Sequence, residues 1–518
     1  MSLLRYWLFS SLISCFCLET SSAATIFVDA SYPGCPGSGT SADPFCSIQA
    51  AIDAASSGDL VLVRPGTYLE RIDFKGKGIR VRGRDGAAQT ILDGQRQGSV
   101  VRFVSGEGST SVLEGFTIRG GLASLGGGIL CTDGSSPLIQ SNIIAQNEAT
   151  QNGGGIHCVS SSPRILGNTI SGNRAAIFGG GVSCYTNPSA TLEDNDIRQN
   201  EASGGGGISA LFADPMILSN AVAHNKAGAG GGMYLSLCSS VLTSNLVVRN
   251  ESTLGGGISL LTPFPGFSSA PVLTNNTIAH NTGQGLQVSG YVYAQMLNSI
   301  VWGNTLGEIL NYAVSPQTVN YCLVQGGYPG LNANLDPQFR NASQDDFRLS
   351  CSSPAVDAGA VPFVPMPLLD QEGRDLRTIG PVDVGSDEAG LDWELVGVPQ
   401  VGGSIRLGAR APGSQGLYAA EVFLSLGDGS IGGGIPVPGS AGRRLSLEAD
   451  ALLSLWLNVS IGLRQVSLGS CAPAATTPSF PIPPATPVGL TVHFAGFSWN
   501  PLTSQVASVS ETVSFTTQ

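Results

Sequence analysis

Gly153-Gly-Gly-Ile-His-Cys158, followed ten residues on by Asn168-Thr-Ile-Ser-Gly-Asn173, is one copy of a unit that recurs six times between Gly126 and Asn281. The glycine triplets begin at Gly126, Gly153, Gly179, Gly205, Gly230 and Gly255. The asparagines recur as Asn142/Asn147, Asn168/Asn173, Asn195/Asn200, Asn220/Asn225, Asn245/Asn250 and Asn276/Asn281. A period of 25 to 27 residues, lengthened in the last copy, is the signature of a solenoid.

Apolar residues stand one and three places past each triplet, as at Ile129/Cys131, Ile156/Cys158, Val182/Cys184, Ile208/Ala210, Met233/Leu235 and Ile258/Leu260. They also stand three before and two after the first asparagine, as at Ile139/Ile144, Ile165/Ile170 and Leu192/Ile197. Such alternation sends every second side chain to one face of a strand, and no stripe of period 3.6 competes with it. Each unit is therefore one coil of short strands. Stacked coils bring equivalent residues about 4.8 Å apart, which predicts two vertical asparagine ladders bonded to each other and to turn backbone. Glycine at the corners permits positive φ.

This pattern describes a right-handed parallel β-helix, and over roughly residues 26–388 the sequence resembles the pectin-lyase-like β-helix superfamily. The stretch from Ser47 through Pro65-Gly-Thr-Tyr68 resembles the entry segment of many of its members. The run Asp370–Arg377 with Gly380-Pro-Val-Asp-Val-Gly-Ser-Asp-Glu388 resembles the closing motif of secreted bacterial choice-of-anchor Q proteins. That likeness implies export and surface association, with no assigned reaction. The superfamily includes lyases, hydrolases, epimerases and proteins without catalysis, so fold alone does not name an activity.

The expected organisation is a signal peptide over 1–24, the β-helix with an N-terminal capping helix over 25–390, and a small C-terminal β-sandwich over 391–518. Arg5, the apolar run Tyr6–Leu18 and the small residues Ser22-Ala-Ala24 carry the signal-peptide reading. A lipoprotein signal ending at Cys15 or Cys17 competes with it. The apolar run is too short to span a bilayer, and nothing later is longer. After Ala389 the triplets stop, and apolar strands at 404–409, 417–426, 445–457, 489–495 and 504–515 alternate with Gly/Pro/Ser turns. At the other end, Ser47 suits a helix N-cap, with Ile48, Ala51, Ile52 and Ala55 forming one apolar face.

Seventy glycines, 12% charged residues and a net charge of −12 agree with an exported all-β chain. The acidic balance argues against nucleic acid or an anionic membrane as the main partner. Of eleven cysteines, nine remain after the signal, so at least one is free or intermolecular. Cys35 and Cys46 bracket a Pro/Gly/Ser loop and are the expected disulfide. Cys131, Cys158 and Cys184 share one inward position and read as core. Cys322 with Cys351 is a possible pair, and Cys471 is expected to be unpaired.

Outward positions decide function in such a fold. Glu148, Arg174, Glu201, Lys226 and Glu251 form one column of alternating sign, which reads as a structural ladder. Glu193, Asp194 and Asp196, with Arg198 on the same strand as Asp196, are the densest carboxylate group. Polysaccharide lyases of this fold use carboxylate-held calcium and an Arg or Lys base, so Asp194, Asp196 and Arg198 are the candidate catalytic residues and calcium the one cofactor they could imply. The flanking coils supply Thr169, Ser171, Ala221 and Ala223, few oxygens for such an ion. Arg64, Arg71, Lys75, Lys77, Arg80, Arg82 and Arg84 gather seven cations in 21 positions. Of these Arg71, Lys75, Lys77, Arg80 and Arg82 are the candidate ligand-binding set for an anionic glycan. Tyr234, Tyr291, Tyr293 and Trp302 are candidate sugar-stacking aromatics, while His157 and Tyr234 read as surface residues of another face.

Two functions are carried forward. One is an exported, surface-associated monomer that binds polysaccharide or a cell-envelope component, or serves as an adhesive module, without catalysis. The other is a polysaccharide lyase acting on a uronate polymer.

Overall fold

The computed structural model describes residues 23–186, 189–350, 352–356, 358–360 and 383–386, and the backbone of strands lying between 392 and 516. Among them the chain is mostly β with one short helix, and residues 66–324 form a β-solenoid of about ten turns. Each repeat lays one strand into each of three long parallel sheets. The second copy, for instance, contributes Ile156–Val159 to a ten-stranded sheet, Arg164–Leu166 to a twelve-stranded sheet and Thr169–Ser171 to an eleven-stranded sheet. Its Arg174–Ala175 joins a smaller, five-stranded sheet.

Register is kept from coil to coil: Ile156 pairs Val182, Ile165 pairs Leu192, and Ile170 pairs Ile197. Like therefore stacks on like, and the inward Ile, Val and Leu columns merge into one continuous dry core. Cys131, Cys158 and Cys184 occupy neighbouring rungs of it as free, buried thiols. Cys35 and Cys46 are joined by a disulfide.

The two asparagine ladders satisfy almost every polar atom they bury. Asn200 donates from its backbone N–H and from Nδ2 to Asn225 Oδ1, both at 3.0 Å. Its Nδ2 also reaches back to Ile170 O at 2.9 Å. The same set recurs from Asn142 to Asn276 and from Asn147 to Asn281, with the asparagines at most 1% exposed. The residue before each ladder asparagine sits in the left-handed region, among them Ser141, Gly167, Asp194, Ser219 and Ser244.

The entry is closed by the helix Ile48–Ala54, capped at Ser47, whose side chain accepts from Ala50 N–H. Both its ends are held by side chains of the first coils. Glu70 accepts from Ile48 N–H at 2.7 Å and Gln49 N–H at 3.0 Å, while Lys77 Nζ donates to the carbonyls of Ile52, Asp53 and Ala55 at 2.8 Å each. A carboxylate at the positive end and an ammonium at the negative end suit the helix dipole.

Past the solenoid, Phe339–Asn341 and Asp346–Leu349 form an antiparallel pair that returns as a strap over the outer face of the eleven-stranded sheet. Phe347 is buried there against Val248 and Ala279. Val384, from the expected closing motif, packs with Ile300, Leu323 and Leu349, and Gly385 N–H donates to Asn298 O at 2.8 Å. From Leu246 onward most of this sheet's outward residues turn apolar, with Val248, Ala279, Ile300 and Trp302, as a sheet covered on both faces requires, while the outward hydroxyl of Thr277 accepts from Ser386 N–H.

Asp345 pins the strap, its carboxylate lying 2.9 Å from His224 Nε2 and 3.0 Å from Arg249 Nε. Partial burial pushes this carboxyl up, but the hydrogen bonds from His224 and Arg249 outweigh it and hold it below its ordinary value. A depressed pKa means that the contribution to stability is complete above the unfolded carboxylate value, near pH ~4, and is lost as pH falls through the folded one. The Asp345 carboxylate is about half exposed and both partners are partly exposed, so each pair contributes at most about 1 kcal/mol. Hydrogen-exchange protection of residues 339–349, corrected for intrinsic rates, is expected to fall severalfold between pH 7 and pH 3. Asp345→Asn should reproduce that fall at pH 7. Equal protection at both pH values would assign the strap to the apolar seat of Phe347 alone.

Toward the C-terminus the described backbone is antiparallel. Asp392–Val396 pairs Ser404–Arg410, and Leu417–Leu426 pairs Thr491–Asn500, which also pairs Gln505–Val509 and Val513–Thr516. Apart from Arg444–Leu445, the expected strand 445–457 lies outside the described residues, as do the signal segment 1–22, Asp370–Arg377, Cys351 and Cys471. Among the described residues no helix is long and apolar enough to cross a membrane.

Candidate functional site

The fold sorts three candidate surfaces. The first is the carboxylate group. Asp196–Arg198 is a strand of the eleven-stranded sheet with Ile197 turned into the core, so Asp196 and Arg198 both face outward. Arg198 Nε lies 3.3 Å from Asp196 Oδ2. Burial pushes the Asp196 carboxyl up against the opposing pull of Arg198. Their register neighbours are Thr169 and Ala221 for the acid, Ser171 and Ala223 for the base. Asp194 is exposed at the left-handed turn before ladder residue Asn195, a conformation that favours Gly, Asn and Asp. Glu193 belongs to the twelve-stranded sheet and pairs Arg164 at 2.7 Å. A cluster that is dense in sequence is thus divided over two sheets and a corner. Among the described residues no three His, Cys, Asp or Glu side chains gather as metal ligands would.

The second surface is the basic first coils. Lys75 pairs Asp53 at 2.7 Å, Lys77 caps the helix, and Arg80 and Arg82 share Glu114, the latter at 3.3 Å. Arg64 pairs Asp29 at 3.0 Å and Arg84 pairs Asp85 at 2.8 Å. Arg71 is exposed and lies beside Gly98. Lys75, Lys77, Arg80 and Arg82 are drawn together by the entry helix and by Glu114, partners that lie 22 to 34 residues away in sequence.

The ten-stranded sheet carries the third. Its outer face is partly covered by the five-stranded sheet, which forms a flap. Phe178, bridged to that flap at Asn152 and Gly204, stacks on Tyr234 with ring centroids 5.6 Å apart. Contrary to the surface reading, His157 is buried, and burial pushes its pKa down to about 4, which keeps it neutral. Trp302 is likewise half-buried beside Ile300 and Phe339 under the strap. The charge column itself lies on the flap in register, with Lys226 and Glu251 2.6 Å apart and Arg174 and Glu201 3.9 Å apart.

Beyond the flap, where the chain turns from the ten-stranded to the twelve-stranded sheet, aromatic rings stand in solvent. Tyr185, Phe212, Phe264, Phe267, Tyr293 and Tyr312 are 37%, 42%, 53%, 57%, 46% and 65% exposed. Tyr185 meets Phe212, and Phe264 meets Phe267, edge to face at 6.5 Å. Register steps run from Tyr185 through Leu211, Ser236, Leu261 and Ser289 to Tyr312. At about 4.8 Å a step the row extends about 24 Å along the solenoid. Phe212 and Leu237 hold φ of 51° and 57°, a strained setting for bulky side chains in a turn. The sequence reading reached Tyr293 but missed the others. The available signal was a large apolar residue, Phe212 or Leu237, at the turn position filled by Asp133, Ser160 and Thr186 in earlier coils.

A family model described as a right-handed β-helix region matches residues 75–197 and 100–265. Those coils are a right-handed β-helix region. The matched spans include the Asp196/Arg198 strand, the flap and the first part of the aromatic row, and they specify the β-helix without a reaction or substrate. No curated protein and no solved structure matches the chain.

Proposed function

We propose that this chain is an exported, surface-associated β-helix protein of the pectin-lyase-like superfamily that binds polysaccharide and does not cleave it. The exposed aromatic row along one corner of the β-helix carries this reading, because rings held in solvent on a rigid scaffold are ready stacking surfaces for sugar rings. Asp196 and Arg198, paired with each other and flanked by uncharged Thr169, Ser171, Ala221 and Ala223, support it, since a proton-abstracting base needs a substrate-stabilising centre beside it. Export and surface attachment rest on the signal-like residues 1–24 and on the closing-motif resemblance at 380–388. Residues 391–518 are proposed as a separate β-sandwich domain.

The test is to incubate the mature chain with acidic and neutral polysaccharides, with calcium or chelator, following unsaturated products and reducing ends. Retention on at least one polymer without cleavage is expected, and Asp196→Ala and Arg198→Ala should leave retention within about twofold. Unsaturated product abolished by either substitution would replace this reading with the uronate lyase.

A further inference from the structure

Resting on the polysaccharide-binding reading, we infer that the corner row Tyr185, Phe212, Phe264, Phe267 and Tyr293 is the binding site, and that it takes an uncharged linear polysaccharide lying parallel to the solenoid axis. The direction follows from the register. One ridge of rings along the solenoid, interrupted in the fifth copy where Leu237 fills the turn, can follow an extended polymer but offers no broad patch to a globular partner. The choice of ligand follows from the chemistry of the corner. Its described residues, 160–163, 186, 189–190, 211–215, 236–240, 261–271, 289–294 and 312–317, include one charged residue, Asp214, and no Lys, Arg or His. Asp214 is itself engaged by Ser239 N–H. A uronate chain laid here would lose hydration from its carboxylates with no cation to receive them. A neutral sugar would present its C–H faces to the rings and its hydroxyls to the intervening Ser and Thr side chains and turn carbonyls.

Two features show rings placed outward at a cost. Phe212 occupies a left-handed turn position that Asp, Ser and Thr fill in other coils. Phe264 and Phe267 stand on Pro263-Phe-Pro-Gly-Phe267, inside the segment inserted in the lengthened sixth repeat, where they are more than half exposed. The basic first coils are the rival site, but most of their cations already face Asp53, Glu114 or the helix carbonyls.

The experiment is affinity electrophoresis of the full mature chain in gels containing hydroxyethylcellulose, galactomannan, soluble starch or polygalacturonate, at low and high salt. Retardation by at least one neutral polymer is expected, insensitive to salt and weaker for polygalacturonate. Each ring contributes a factor of about 2 to 12, so Phe212→Ala combined with Phe267→Ala should weaken retardation by about 4- to 140-fold. Phe212→Trp should retain it, and an unchanged melting temperature shows that the double variant folds. Lys75→Ala combined with Arg80→Ala should keep it. Neutral retardation that survives the double aromatic variant would overturn the ridge while leaving polysaccharide binding in place. Salt-sensitive retardation by polygalacturonate alone, lost in the basic variant, would move the site to the first coils. No retardation by any polymer would overturn both readings. A concentration-dependent dimer that dissociates in the aromatic variant would give the ridge to a second copy of the chain. Faster proteolysis within 391–518 in that variant would give it to the chain's own C-terminal segment. Either result overturns the glycan site.

Discussion

Asn225→Ala is expected to lower the unfolding free energy by about 3–5 kcal/mol, one of the two largest effects among single substitutions in the solenoid. Asn225 Oδ1 is the sole hydrogen-bond acceptor of Asn200 N–H, at 3.0 Å, and also accepts from Asn200 Nδ2. Its Nδ2 donates to Ile197 O at 2.8 Å and to Asn250 Oδ1 at 3.0 Å. Truncation therefore orphans one backbone donor outright and half-satisfies three further groups. The site is fully buried, so the lost bonds are not replaced by solvent without opening the coil. Each unsatisfied buried group costs about 1–3 kcal/mol, and the vacated volume adds to this. Asn225→Asp should not rescue, because a carboxylate accepts from Asn200 but opposes Asn250 Oδ1 with a buried charge. The measurement is a urea titration of the variant beside Thr169→Ala, an outward change expected to stay within about 0.5 kcal/mol. Equal midpoints for the two would mean that the ladder adds nothing beyond the sheets it joins.

Gly205→Ala should cost about 2–5 kcal/mol, and Gly167→Ala only about 1–2, although both glycines have nearly the same backbone. Their φ angles are 65° and 60°. An alanine in that region bears the left-handed penalty at either place. The difference is what the methyl meets. At Gly205 it would lie 2.3 Å from Ile208 O and 2.9 Å from Ser209 Cβ, while at Gly167 nothing lies within 4 Å. Backbone cannot step aside as a flexible side chain can, so the triplet position adds a clash that the simple turn lacks. Parallel thermal melts of the two variants separate conformation from close approach. Equal losses would show that the triplet is kept for φ alone.

How much of this was legible beforehand depends on the distance over which each feature is decided. Strand positions, the inward columns and both ladders recur at a fixed period, and local alternation together with stacking is enough to read them. The entry helix was legible for the same reason, its N-cap and apolar face lying within nine residues. The sites were not. Glu193, Asp194 and Asp196 are neighbours in sequence, yet the corner at Asn195 sends the first to another sheet from the last. The basic run looked free for a ligand because Asp53 and Glu114, its partners, lie 22 and 34 residues away.

A solenoid of short parallel strands, the dry face of each strand, the places of the amide ladders and the corners that call for glycine are all written in the repeat. These follow because every coil repeats the same local rule and the next coil applies it in register. What covers the outside is set by long-range packing. The flap buries His157, the strap seats Phe347 on Val248 and Ala279, and the corner leaves Phe212, Phe264 and Phe267 in water. An outward residue in a coil has no fixed environment until some other segment lies over it or fails to. That choice is made by contacts between distant parts of the chain, where no repeat carries the information.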